Sequence, residues 1–210
     1  LSTALDDRGS EFRAVAQIGE SPGLVLDYFR PLDNALKYSF EPSAYLLKRP
    51  LLLYDVAGDA LGEINLKEWG GTLALGREYE RHVKLTAGFN RYAGELGVTV
   101  GDPEVRPFHF NGAELYAEFR YDRLDNRYLP TRGVFSVLRY TDSIESLGAD
   151  ASFDQLEFTF FGSRTFGFHN FLYGAQYSTT LSDYAPIYAI YTGGGFLNMS
   201  GYEPNSLIGP

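Results

Sequence analysis

The sequence predicts an all-β protein, an antiparallel up-and-down β-barrel whose strands cross a membrane, and three observations carry that prediction. The 210 residues include sixteen Tyr, sixteen Phe and twenty-three Gly, a load that favours strands and tight turns over helices. Several runs alternate apolar and polar residues far enough to cross a bilayer as a tilted strand, which takes about nine to eleven residues against the five or six of an ordinary soluble strand. The connections between runs are compact at one end and mostly longer at the other, as the two ends of a membrane barrel are.

The strands read in order. Phe12, Ala14, Ala16 and Ile18 oppose Glu11, Arg13, Val15 and Gln17, and Leu36, Tyr38, Phe40, Pro42, Ala44 and Leu46 oppose Lys37, Ser39, Glu41, Ser43 and Tyr45. Val83, Leu85, Ala87 and Phe89 face away from Lys84, Thr86, Gly88 and Asn90. Between Ala113 and Tyr121 the odd positions are Ala113, Leu115, Ala117, Phe119 and Tyr121, while the even ones include Glu114, Glu118 and Arg120 and lead to Asp122. Leu156, Phe158 and Phe160 oppose Gln155, Glu157 and Thr159, and Phe171, Tyr173, Ala175 and Tyr177 oppose Leu172, Gly174, Gln176 and Ser178. Pro31–Asn34, Tyr79–His82 and Gly167–Asn170 are compact turns, whereas Val98–His109 and Ser143–Ser152 are longer polar loops; Glu20–Gly23 is short although it falls on the long-loop side. This reading counts about ten strands before a closing loop.

Alternation alone does not say which face meets lipid, because a soluble sandwich or barrel alternates too. Opposite charges on one face decide the expectation. Glu114, Glu118, Arg120 and Asp122 suit a wet barrel interior, where they can pair with neighbouring strands, which turns Leu115 and Phe119 toward the bilayer.

Composition excludes several functions. A net charge of −9 with no basic run argues against a nucleic-acid partner. Without cysteine there is no disulfide, thiolate metal site or thiol nucleophile. No apolar run approaches the ~18 residues of a membrane helix. His82, His109 and His169 fall in turns or loops without metal-ligand spacing, and no Gly-x-Ser-x-Gly elbow occurs. We therefore expect no catalytic residue, no metal and no cofactor within these residues.

Two segments carry a resemblance. "LDNRYLPTRG", Leu124–Gly133, is a turn by its residue types: Asp125 and Asn126 can bond nearby backbone, Pro130 and Thr131 follow, and Gly133 can take a conformation barred to other residues. Asp-x-x-x-x-x-Pro-Thr-x-Gly between amphipathic strands resembles the periplasmic turn of the bacterial surface antigen superfamily, the outer-membrane barrels of insertases and two-partner secretion transporters. "GGGFLNMSGY", comprising Gly193, Gly194, Gly195, Asn198, Ser200, Gly201 and Tyr202 among its residues, is similar to that superfamily's Gly-Gly and Val/Ile-Arg-Gly-Tyr/Phe loop, which folds back into the lumen. Ser200 stands in place of the family arginine. That variant resembles the C-terminal barrels of patatin-like phospholipase fused secretion proteins.

The resemblance implies one partial barrel domain over residues 1–210, with about ten of sixteen expected strands, a lumen-inserted loop at 183–210, and a lipase with a transport-associated domain upstream. It further implies a Gram-negative outer-membrane location and two partners, outer-membrane lipid and a translocated polypeptide that could be the protein's own N-terminal domain. Two alternatives stand beside this: an outer-membrane lipase barrel, and a soluble all-β binding module.

Overall fold

The computed structural model describes residues 2–4, 6, 9–19, 21–54, 60–100, 107–193 and 207–209. Ten antiparallel strands follow one another in one sheet: β1 (Ser2–Ala4), β2 (Glu11–Gln17), β3 (Gly23–Pro31), β4 (Tyr38–Tyr54), β5 (Ala60–Tyr79), β6 (Val83–Val100), β7 (Phe108–Asp122), β8 (Arg132–Ser143), β9 (Phe153–Phe166) and β10 (His169–Thr180). Two short strands, β11 (Tyr191–Gly193) and β12 (Leu207–Gly209), pair separately. Spatial order equals chain order, and among the described residues no pairing joins β10 back to β1. The sheet is an unclosed barrel wall.

Residues directly opposite in neighbouring strands share a face, so the register assigns every side chain to one side of the wall. Tyr45, Gly70, Tyr92 and Gly112 form one row, and Leu75, Ala87, Ala117, Tyr140 and Leu156 form a row on the other face. On the first face, side chains two strands apart meet: the Tyr45 hydroxyl lies 3.2 Å from Asn90 Oδ1, and Lys84 on β6 pairs with Glu41 on β4. Such contacts require a concave surface, so the polar face is the lumen. The convex face carries Leu46, Leu73, Leu75, Leu85, Leu115, Phe119 and Leu138, all solvent-exposed, which is the expected lipid side. A wall with that many bulky apolar groups outward is a poor soluble module.

The strands are longer than a bilayer needs. β5 has 20 residues. At about 3.3 Å per residue it spans about 66 Å, roughly twice the nine to eleven residues that cross the hydrocarbon layer at a tilt. Its outward side chains from Trp69 to Tyr79 carry one charge, Arg77 near the lower end, with an aromatic at each end and the outward pair Lys67–Glu95 (3.6 Å) beyond Trp69. On β9 the outward charge appears at Asp154, which stands in register with Asp142, Leu115, Phe89 and Leu73. The upper edge of the belt therefore shifts by six residues, from Lys67 to Leu73, between β5 and β9. Six residues at about 3.3 Å against four strand spacings at about 4.8 Å give a strand tilt of about 45°, the inclination of outer-membrane barrels.

Beyond the belt the lumen fills with apolar side chains. Ile64, Leu66, Tyr92, Leu96, Phe110 and Phe153 point inward there, and Tyr188, from the segment after β10, packs onto them. The ladder between β3 and β4 is interrupted where Tyr28 and Phe29 stand opposite Pro42 and Glu41, because Pro42 has no N–H to donate.

Candidate functional site

The concave face presents three features in sequence: a rigid turn at the short-turn end, a ladder of charges across the middle, and an aromatic plug at the loop end.

The turn at Asp125–Gly133 is built by its side chains. Asp125 Oδ1 accepts the N–H groups of Thr131 (2.9 Å) and Arg132 (3.1 Å), and Oδ2 accepts the Thr131 hydroxyl. These donors, the Thr131 hydroxyl foremost, hold the Asp125 carboxyl down at about 2. Asn126 Oδ1 accepts the N–H groups of Tyr128 and Leu129, at 2.8 and 3.0 Å. Pro130 turns its carbonyl to Ser163 Oγ (2.7 Å) and Asn170 Nδ2 (2.8 Å), which ties the turn to β9 and β10. Gly133 has φ +106°, and a Cβ there would lie 2.0 Å from the Arg123 carbonyl oxygen. Asp125, Asn126, Pro130 and Thr131 thus take part in the hydrogen bonds of the turn, and Gly133 closes it by its backbone conformation.

Glu114, Glu118 and Arg120 lie on the lumen face, where Glu114 and Glu118 meet groups on neighbouring strands and Arg120 pairs within its own strand. Glu118 accepts from Arg120 on its own strand (2.9 Å), with Arg139 of β8 at 3.8 Å. Arg139 in turn sits 4.0 Å over the Tyr116 ring. Glu114 accepts from the Tyr92 hydroxyl (2.7 Å) and Asn90 Nδ2 (3.2 Å). Asp122 shares their parity but serves the turn, accepting the Leu124 N–H at 3.1 Å. Further along, Arg13 and Asp27 pair at 2.6 Å, and Lys84 joins Glu41. Partly exposed pairs of this kind are worth only about 0–1 kcal/mol each, so they keep the lumen wet rather than stabilise the wall.

The individual residues of the plug were not singled out from the sequence, although Tyr188 lies in the 183–210 segment expected to fold into the lumen. Phe110 and Tyr188 stack with ring centroids 4.2 Å apart and planes 6° from parallel, and Tyr92 meets Phe110 edge-on at 6.3 Å. The rings fit because glycines lie beneath them: a Cβ on Gly112 would come within 1.9 Å of the Tyr92 ring, and one on Gly94 within 2.1 Å of Phe110. Burial pushes the Tyr188 phenol up to about 12, with the nearby Asp150 carboxylate adding to the rise. Gln155 Nε2 donates to the Ala189 carbonyl (2.7 Å), fastening the segment to the wall. Beside it Arg49, Glu68, Glu114 and Glu157 line a polar space. A signal existed: Tyr92 and Phe110 are bulky rings at the same parity as the lumen charges Glu114 and Glu118.

Among the described residues no group of three His, Asp or Glu side chains is placed to hold a metal ion. His82 Nδ1 lies 3.1 Å from the Asp122 carbonyl oxygen, a contact within the barrel rim.

A profile of the Omp85 superfamily domain matches residues 8–210, nearly the whole chain. The chain belongs to the Omp85 superfamily. Like other Omp85 barrels it is a Gram-negative outer-membrane protein, with the short turns at one rim and the lumen lined by the polar face. A solved structure with the same fold is that of BamA from Haemophilus ducreyi lacking POTRA domains 1-3, with a TM-score of 0.73 at 17% identity; the alignment covers 97% of this chain and 42% of that one. The chain thus spans less than half the length of the solved relative. A comparison with curated proteins gives no match. In this Omp85 chain Gly193 ends β11, whereas Gly194, Gly195, Asn198, Ser200, Gly201 and Tyr202 of the loop motif lie outside the described residues.

Proposed function

We propose that this Omp85 barrel supports export or membrane insertion of a polypeptide, and that it forms the translocator part of a patatin-like secreted lipase. The observation that carries the first part is the lumen: a concave, charge-lined surface, closed at one end by a segment held through side-chain contacts. Such a surface offers an extended chain a wetted path without a fixed binding pocket, because partly exposed ion pairs can exchange partners at little cost. Superfamily membership supports the same reading. The lipase association rests on Ser200 in "NMSGY", where the family carries an arginine, and on that reading the hydrolytic residues lie upstream and none lies in this chain.

Photocrosslinking in intact cells tests the first part. In the full-length protein, a benzophenone side chain at the lumen positions Thr159 or Gln176 should capture the moving polypeptide, and one at the lipid-facing Leu73 should not. Equal capture from both faces, or none from the lumen, would refute it. Phospholipid hydrolysis that survives removal of the upstream part would refute the second and revive a lipase seated in the barrel.

A further inference from the structure

The lipid-facing wall is not uniform. Between the bulky side chains of Leu85, Phe119 and Leu138 stands a cross-strand pair of alanines, Ala87 and Ala117, and the wall is hollowed there into a groove of about 640 Å³ lined almost wholly by apolar atoms. It runs from Tyr38 on β4 to Leu156 on β9, crossing six strands. Five spacings of about 4.8 Å make it about 24 Å long, and at a tilt of about 45° it descends about 17 Å through the hydrocarbon layer. A guanidinium marks its lower end. Arg77 points outward at the short-turn rim, 5.3 Å from the Tyr38 ring centroid and 4.5 Å from that of Tyr79. Among the described residues it makes no ion pair.

We propose that this groove is a binding site for one glycerophospholipid of the inner, periplasm-facing leaflet, with an acyl chain along Ala87 and Ala117 and the phosphate on Arg77. The apolar lining alone would accept any hydrocarbon. Arg77 selects the occupant: a cation held at the interface by two rings, without a carboxylate, is complementary to a phosphodiester, and a guanidinium matches phosphate oxygens with paired N–H donors. The hollow holds a chain where a flat wall would only be wetted by it, because shape match adds dispersion contacts along the chain's length.

Native mass spectrometry of the full-length protein, released from detergent micelles doped with phosphatidylglycerol, tests this. The wild type should retain one phosphatidylglycerol, and Ala117→Leu and Ala87→Leu, which fill the groove, should each abolish retention. Arg77→Gln should weaken it about fivefold, the ratio corresponding to the ~1 kcal/mol of one cation at an anionic membrane surface. Diacylglycerol with the same chains should bind as weakly as phosphatidylglycerol binds the Arg77→Gln protein, and inorganic phosphate should not be retained. Leu46→Ala, outward but away from the groove, should retain lipid as the wild type does. Heat-modifiable migration shows which variants are folded, and the two alanine substitutions test the same groove independently. Retention untouched in a folded Ala117→Leu or Ala87→Leu protein, or lost equally in Leu46→Ala, would overturn the proposal in favour of ordinary boundary lipid.

Discussion

Placing an arginine at Leu73 tests the assignment of the faces with a magnitude the structure supplies. Leu73 is 56% exposed on the convex face, so replacing it removes little packing and the cost is that of bringing a cation into hydrocarbon. The two outward girdle aromatics of β5 are Trp69 and Tyr79, with Arg77 beside the lower one, which puts the midpoint of the belt at residue 74, one residue from Leu73. At about 3.3 Å per residue and a tilt of about 45°, Leu73 lies about 2 Å from the midplane and Trp69 about 12 Å from it. An arginine costs about 2–4 kcal/mol at the midplane and about 0–1 near the interface. Leu73→Arg should therefore lower the folding free energy of the full-length protein in vesicles by about 2–4 kcal/mol, while the charge at Trp69→Arg should cost about 0–1. Gln176→Arg, on the lumen face of β10, should be nearly neutral. Urea titration of heat-modifiable folding measures all three. A Leu73→Arg protein as stable as the wild type, with Gln176→Arg the damaging change, would mean the faces are inverted.

Other outcomes follow from the turn and the plug. Gly133→Ala should cost about 1–3 kcal/mol, the range for a residue forced into a strained conformation, and should loosen the turn by limited proteolysis; unchanged protection would contradict the tight approach to Arg123. The Asp125 carboxyl has a folded value of about 2 against 3.8 for the free group, so its contribution to turn order is fully present above about pH 4 and is lost as pH falls through about 2. Amide exchange at Thr131 and Arg132 should accelerate over that window in the wild type and show no such step in Asp125→Asn. Tyr188→Ala removes a stack worth about 0.5–1.5 kcal/mol beyond its buried area and should raise hydrogen exchange over residues 186–193 without lowering the stability of the wall. Exchange there equal to the wild type would show that the stack does not hold the segment.

Much of this wall was legible because a strand between lipid and water is forced to alternate. β7, β9 and β10 announced themselves through that period, and the turn after β7 through Asp125, Pro130 and Gly133, residues whose side chains or backbone freedom are used locally. β5 was harder to see. Gly70 and Gly71 sit together in its middle, and above the belt Lys67 and Glu63 point outward where the pattern below would place apolar groups. The same change of environment hides the true length of β4, β5 and β6, which leave the bilayer and continue. The plug could not be read from spacing, since Tyr188 is distant in sequence from Phe110 and only the return of the chain brings the rings together. The lipid-side groove is a property of a row across five strands, Leu75 to Leu156, and no single strand shows it.

The central claim is that an oblique apolar belt, one face of a wall tilted about 45°, separates lipid from a polar lumen. Nitroxide labels placed one at a time along β5, from Lys67 to Tyr79, and along β9, from Asp154 to Phe166, measure this directly through their accessibility to oxygen and to a water-soluble nickel complex. Odd positions of β5 from Trp69 to Tyr79 should favour oxygen and even positions nickel, with outward Lys67 already in water. On β9 the even positions should favour oxygen from Leu156 to Phe166, so that the oxygen zone begins six register positions lower on the wall than it does on β5. Accessibility without a period of two, or with nickel favoured at the odd positions of β5, or an oxygen zone that begins in the same register row on both strands, would contradict it.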